Sequence, residues 1–164
     1  VVLVDGCDSV QLNNVQADGN TKELAVSVGN TNPGIGIITI FNSTNVTVTH
    51  CTTNSNSRTN NNSRFAPMVA LFSQNTNFIN CQSNNNVIPL DDIRGFTPIQ
   101  ALVCLDTVLD GVQANGNSVN SVRTFFRGIY IADAPRAIIR NAQVNDNSCQ
   151  LLATPPPGFL ADVT

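Results

Sequence analysis

Hydrophobic residues fall at alternate positions in short runs, and the runs return in the same order along the chain. Val2/Val4, Ile38/Ile40, Met68/Ala70, Ile99/Ala101 and Ile129/Ile131 fill one alternating pair. After a polar turn comes a second pair: Val10/Leu12, Val46/Val48, Thr76/Phe78, Thr107/Leu109 and Ala137/Ile139. A third follows at Val15/Ala17, Cys51/Thr53, Cys81/Ser83, Val112/Ala114 and Ala142/Val144. Alternation of period two predicts short strands with one face buried. Between the second and third pairs stand Asn14, His50, Asn80, Gly111 and Asn141. Asparagine and glycine tolerate a left-handed backbone, so this position predicts a sharp corner.

The runs belong to a repeat. "NNVQADGN", "HCTTNSN", "NCQSNNN", "GVQANGN" and "RNAQVNDN" end on Asn20, Asn56, Asn86, Asn117 and Asn147, at separations of 36, 30, 31 and 30 residues. Extending back from each asparagine without a gap gives five 19-residue units: 2–20, 38–56, 68–86, 99–117 and 129–147. A period of 20 to 50 residues marks a repeat architecture. Hairpins would need a reversal signal at every turn, and the corners here are one or two residues long. A constant period instead predicts coils stacked in parallel, about 4.8 Å apart. Equivalent residues then form ladders, with Cys51 over Cys81 and Asn14, Asn80 and Asn141 on a common corner.

The connectors keep the same phase. After the longer 21–37 segment come 57–67, 87–98 and 118–128, of 11, 12 and 11 residues. Phe65, Phe96 and Phe126 each lie 21 residues before the final asparagine of a unit, with Ile35 at that place in the second unit. An aromatic ladder on a third face is expected, since stacked rings add to the burial of their area.

The units "VVLVDGCDSVQLNNVQADGN" (1–20) and "GIYIADAPRAIIRNAQVNDN" (128–147) resemble the right-handed parallel β-helix repeat proteins of pectate-lyase-like architecture, and the resemblance runs over essentially the whole chain. It implies an all-β, single-stranded right-handed parallel β-helix of about five coils, roughly 30 residues each, in a single 1–164 domain. It does not imply one activity, because this fold serves lyases, hydrolases, adhesins, phage tailspikes and inert scaffolds. Pectate lyases need an acidic calcium cluster and a basic residue, whereas the acids here are dispersed. Polygalacturonases carry paired aspartates with a third aspartate, a Gly-His-Gly and an Arg-x-Lys. Only the pair has a counterpart, Asp91 and Asp92 in "PLDDIRG", with Arg94 nearby. Adjacent strand residues face opposite ways, so the two could act together only in a loop. Glycoside hydrolysis also needs carboxylates on two sides of one sugar. The expectation is therefore no catalytic set, with Asp91 and Asp92 as the alternative and a solvated turn before the Phe96 strand as the plainer reading.

Composition narrows the classes. At 164 residues one domain is expected, and only 12% of residues are charged, with one Lys (Lys22), one Glu and one His (His50). An apolar fraction of 41% in strict phase argues against a disordered Asn-rich tract. The net charge of −3 and seven unclustered arginines argue against nucleic acid. No 18-residue apolar run marks a membrane span. The five cysteines show no C-x-x-C and no Cys/His cluster, so neither a zinc site nor any cofactor is expected. Cys51 and Cys81 are expected as buried free thiols, since parallel Cβ vectors oppose a disulfide. Cys7 and Cys104 share a turn position three coils apart, and Cys149 lies in a connector. Asp106 with Arg136, and Asp110 with Arg140, share phase in adjacent coils and are expected as exposed cross-strand ion pairs. Asn42-Ser-Thr, Asn45-Val-Thr and Asn61-Asn-Ser match the glycosylation sequon, a weak signal in so Asn-rich a chain.

These features favour a non-catalytic structural repeat protein, an extracellular or surface scaffold that self-assembles end to end into a fibre. The alternatives are a carbohydrate-active enzyme or glycan-binding module, with its working residues on loops 21–37 or 87–98, and a fragment of a larger adhesin or tailspike. Rows of Asn, Thr and Ser suit a glycan, but Trp is absent and Tyr130 is the sole Tyr. The phase also speaks about the ends. Connector 148–158 is followed by "FLADVT", which matches "IYIADA" and would begin a sixth coil, while Val1 sits almost at the start of a unit. No cap is expected at either end, so self-association through open coils, or coverage by more of a longer chain, is the expectation.

Overall fold

The structure is a computed structural model, and it describes residues 1–22, 36–58, 65–88, 96–121 and 126–151. Within them are fifteen strands, numbered along the chain, and no helix. The first sheet holds β1 (Val2–Asp5), β4 (Ile38–Phe41), β7 (Met68–Leu71), β10 (Ile99–Leu102) and β13 (Ile129–Ala132). The second holds β2 (Gln11–Asn13), β5 (Thr44–Thr49), β8 (Gln74–Ile79), β11 (Val108–Asp110) and β14 (Ile138–Arg140). The third holds β3 (Thr21–Lys22), β6 (Ser57–Arg58), β9 (Val87–Ile88), β12 (Ser118–Ser121) and β15 (Ser148–Leu151).

Every pairing is parallel and joins a strand to its equivalent one repeat away. Val4 faces Ile40, Ile40 faces Ala70, Ala70 faces Ala101 and Ala101 faces Ile131. The chain is thus a parallel β-solenoid with turns of about 30 residues. The rungs between Ile38 and Asn117 have a paired neighbour on either side, while the outermost strands of each sheet are paired on one side only among the described residues. Counted as turns, the solenoid has about three, rather than the five coils expected.

The interior follows the alternation. Ile40, Ala70 and Ala101 from the first sheet meet Val48, Phe78 and Leu109 from the second, and Ile88 and Val119 from the third, all essentially inaccessible to solvent. The expected aromatic ladder is present: Phe65 and Phe96 stack at 5.8 Å between centroids and 12° between planes, and Phe96 and Phe126 lie at 5.7 Å and 57°. Ile35 falls outside the described residues.

Two features depart from the expectation. The third alternating pair of each unit does not form a strand: its central residues Gln16, Thr52, Gln82, Gln113 and Gln143 make only single bridges. The third sheet begins instead immediately after each final asparagine, in residues assigned above to the connectors. Second, the outer face of the first sheet is not simply solvated. Ala66, Val69 and Leu71 form a separate buried apolar cluster with Phe41 and Leu102 against it, and Thr39 and Gln100 are buried on that face too. The Thr39 hydroxyl accepts a hydrogen bond from the Gly36 amide at 2.8 Å.

The turns between strands are set by four corners per repeat. Among the described residues, all those with positive φ, sixteen non-glycine and four glycine, fall on four ladders. The first is Gly6, Asn42, Phe72, Val103 and Asp133; the second is Ser9, Asn45, Asn75, Asp106 and Arg136. The third is the expected Asn14, His50, Asn80, Gly111 and Asn141, and the fourth is Gly19, Ser55, Asn85, Gly116 and Asp146. Most are Asn, Asp, Ser or Gly, the types that reach the left-handed region at least cost. At Gly111 a Cβ would also press on Oδ1 of Asn80, whose side chain would have to shift to admit it.

Candidate functional site

The densest polar constellation flanks the fourth corner, where each repeat reads D-G-N, N-S-N, N-N-N, N-G-N or N-D-N. The last asparagine of each triplet points inward. The Asn20 amide donates to Oδ1 of Asn56 (2.8 Å), Asn56 to Asn86 (2.9 Å), Asn86 to Asn117 (3.0 Å) and Asn117 to Asn147 (2.9 Å). The side-chain nitrogens reinforce the chain. Nδ2 of Asn86 donates to Oδ1 of Asn117 at 3.0 Å, and Nδ2 of Asn117 to Oδ1 of Asn147 at 2.9 Å. Nδ2 of Asn117 also donates to the Ser83 carbonyl at 3.0 Å, and Nδ2 of Asn147 to that of Ala114 at 2.7 Å. Asn56, Asn86 and Asn117 are fully buried. A turning backbone leaves amides that no sheet can satisfy, and a buried amide must find a partner. The ladder supplies one at each level.

The first residue of each triplet builds a second ladder that runs the other way. The Asn54 amide donates back to Oδ1 of Asp18 (2.6 Å), Asn84 to Asn54 (2.8 Å), Asn115 to Asn84 (2.8 Å) and Asn145 to Asn115 (2.9 Å). This outer ladder is more exposed and uses the side chain chiefly as an acceptor. That is why Asp18 serves in the first rung, where its carboxylate also accepts from the Thr52 hydroxyl at 2.8 Å. At Asn86, Asn117 and Asn147 the inner ladder uses both ends of the amide, whereas Nδ2 of Asn56 is buried without a partner among the described residues; no aspartate occurs in this ladder. In the sequence these asparagines mark only the phase of the repeat, and the NxN spacing around a corner residue is the one local signal of the hydrogen-bonded spine they form.

Acidic and basic groups lie on the outer surface. Arg136 grips Asp106 in a two-pronged contact, Nε to Oδ1 at 2.5 Å and an Nη to Oδ2 at 2.7 Å. Arg140 reaches Asp110 at 2.9 Å, and Nδ2 of Asn141 donates to the same carboxylate at 2.9 Å. Both ion pairs stand where the phase placed them. The Arg136 hydrogen bond holds the Asp106 carboxyl below the ordinary carboxylate range. At Asp110 the Asn141 and then the Arg140 hydrogen bonds have the same effect. Asp8 is lowered by the Thr44 hydroxyl and then the Asn45 amide, and Asn75 donates in turn to Asn45 at 2.7 Å.

The thiols are all free. Cys51, Cys81 and Cys104 are buried, Cys149 is half-buried in β15, and Cys7 is exposed. The Cys81 thiol donates to the Val48 carbonyl at 3.3 Å, and burial pushes its pKa up to about 11.

Asp91, Asp92 and Arg94 lie outside the described residues, as does Asn61. His50 stands exposed on its corner, with one ring nitrogen 3.4 Å from Nδ2 of Asn80. Asn42 and Asn45 are exposed corner residues. Tyr130 lies under the Arg127 guanidinium, 4.0 Å from its ring centroid. Among the described residues no three His, Cys, Asp or Glu side chains gather as a metal-holding group, and no helix is long and apolar enough to cross a membrane. No protein-family model matches the chain, and no curated protein matches its sequence.

Proposed function

We propose that the chain is a structural β-helix repeat element, an extracellular or surface scaffold whose coils stack on further coils, and that it belongs with the right-handed helices of pectate-lyase-like architecture. The observation that carries the reading is the pair of oppositely directed asparagine ladders. They put the recurring phase of the repeat into axial hydrogen bonds that, Asp18 apart, run between neutral amides, which neither donate protons nor act as nucleophiles at ordinary pH. Such a spine makes a stiff rod with a fixed spacing. Among the described residues, its outermost rungs present the same donors and acceptors that are satisfied within the stack, for instance the Asn145 Oδ1 and the Asn147 amide. Inward-facing Ile139 and Val144 of the last described rung are also about half-exposed, at 50% and 45%. A further coil placed there would cover them, whichever molecule supplies it.

Mass measurement and electron microscopy across a dilution series test this reading. It predicts rods or filaments that grow in one dimension with concentration. A compact monomer at every concentration, or turnover of a polysaccharide that Asp91→Asn with Asp92→Asn abolishes, would overturn it.

A further inference from the structure

We infer that the first corner carries a docking ridge for an extended cationic peptide with apolar side chains. The ridge is independent of the stacking of coils, since it runs along the outside of the rod. Its observation is a mismatch of residue type and backbone. In three rungs this corner is Gly6, Asn42 and Asp133, residues suited to positive φ. In the two others it is Phe72 at φ 50° and Val103 at φ 52°. A bulky or β-branched residue in that region is an outlier whose strain must be offset elsewhere. Burial does not offset it here, because Phe72 is 50% and Val103 48% exposed. Phe72 is also held in place: Phe41 meets it edge to face, with centroids 5.8 Å apart. Two strained, exposed apolar side chains on successive rungs, one of them oriented from below, form a surface ready for a partner.

Charge defines the partner. The strip is acidic at both ends, with exposed Asp5 beside Gly6 in the first rung and exposed Asp133 in the last. Asp8 adds a further carboxylate near the first end, while Arg136 near the other end is already engaged by Asp106. Four rung spacings of about 4.8 Å separate Asp5 from Asp133, roughly 19 Å in all. An extended chain advances about 3.3 Å per residue and turns alternate side chains to one face. A heptapeptide with arginine at both ends and leucine at its third and fifth positions therefore sets two cations about 20 Å apart with two apolar groups between them, all on one face.

The probe is the synthetic peptide Arg-Ser-Leu-Ser-Leu-Ser-Arg, titrated against the whole chain by calorimetry, with Gln-Ser-Leu-Ser-Leu-Ser-Gln as control. The arginine peptide binds and the glutamine peptide does not. Phe72→Asn with Val103→Asn weakens binding by about tenfold or more, the share expected of central apolar anchors. Asp5→Asn with Asp133→Asn weakens it too. The unfolding midpoint of Val103→Asn is no lower than that of the parent chain, because asparagine suits the corner better than valine. Equal binding to Phe72→Asn/Val103→Asn would overturn the inference by reducing the effect to general adsorption on an acidic surface. A lowered midpoint for Val103→Asn would overturn it by making the residue a packing element. A dimer of the parent chain that Phe72→Asn dissolves would overturn it in favour of a second copy on the ridge.

Discussion

Replacing Asn117 by alanine removes one link of the inner ladder at its most enclosed point. The Asn117 side chain accepts from the Asn86 amide and from its Nδ2, both at 3.0 Å, and donates to the Ser83 carbonyl and to Oδ1 of Asn147. Ser83, Asn86 and Asn117 are inaccessible to water, and Asn147 is half-buried. Truncation strands the Asn86 amide, takes one of two partners from its Nδ2, which keeps the Ser83 hydroxyl at 3.1 Å, and removes the donor to the Ser83 carbonyl; each stranded group costs about 1–3 kcal/mol. A loss of about 3–5 kcal/mol is expected, at the upper end of what single substitutions do. Asn117→Asp should cost at least as much, since a carboxylate there would face two acceptors in a site without water. Asn115→Asp is the matched control. Its Oδ1 accepts from the Asn145 amide at 2.9 Å, and the outer ladder already tolerates Asp18 in the equivalent place. It should cost less than about 1 kcal/mol. Urea unfolding followed by circular dichroism gives the three values from midpoints and slopes. If Asn117→Ala costs less than about 1 kcal/mol, or Asn115→Asp and Asn117→Asp cost the same, the two ladders do not have the roles assigned to them.

The remaining expectations use other parts of the stack. Phe96→Ala, in the middle of the aromatic ladder, should destabilise by about 3–5 kcal/mol, and a cost under 1 kcal/mol would show that the rings are not core. Iodoacetamide on the folded chain should label Cys7 at neutral pH while sparing Cys51, Cys81 and Cys104, and mass spectrometry of peptides reads the pattern. For Cys81 the folded pKa of about 11 lies above the ordinary thiol value of 9.0. Its contribution to stability is therefore complete below pH 9.0 and lost as pH rises toward 11, which unfolding at stepped pH would detect. Asp106 works in the opposite sense: its lowered pKa supports the fold above the ordinary value and loses that support as pH falls through the folded one. Exposure keeps this contribution small, so Arg136→Ala should return the Asp106 titration seen by NMR toward the ordinary value with little change in midpoint.

Much of the fold was legible because a parallel stack repeats every local decision. Alternation at Val2/Val4 and Val10/Leu12 placed the first two sheets, and the phase of Phe65, Phe96 and Phe126 placed the aromatic ladder. The same phase set Asp106 over Arg136. The third sheet was missed because β3, β6 and β9 are only two residues long and carry little alternation to read. The buried outer face at Val69 and Leu71 was missed because period two predicts one buried face, and nothing local says when the other is covered as well. The ladders around the fourth corner escaped notice for a different reason. An asparagine marks a corner through its backbone preference, but its side-chain bonds depend on the neighbouring rung. Phe72 and Val103 broke the residue pattern of a corner that the sequence did not reveal, so their strain became visible only with the backbone.

Amide hydrogen exchange resolved by NMR tests the central claim, that side-chain ladders of asparagine bind the coils together, most directly. The amides of Asn56, Asn86 and Asn117 donate to side chains, not to sheet partners. They should nonetheless be among the slowest in the protein, exchanging only with global unfolding, alongside strand amides such as those of Val48 and Leu109. Exchange of these three at the rate of exposed loop amides, while the strand amides stay protected, would contradict the account.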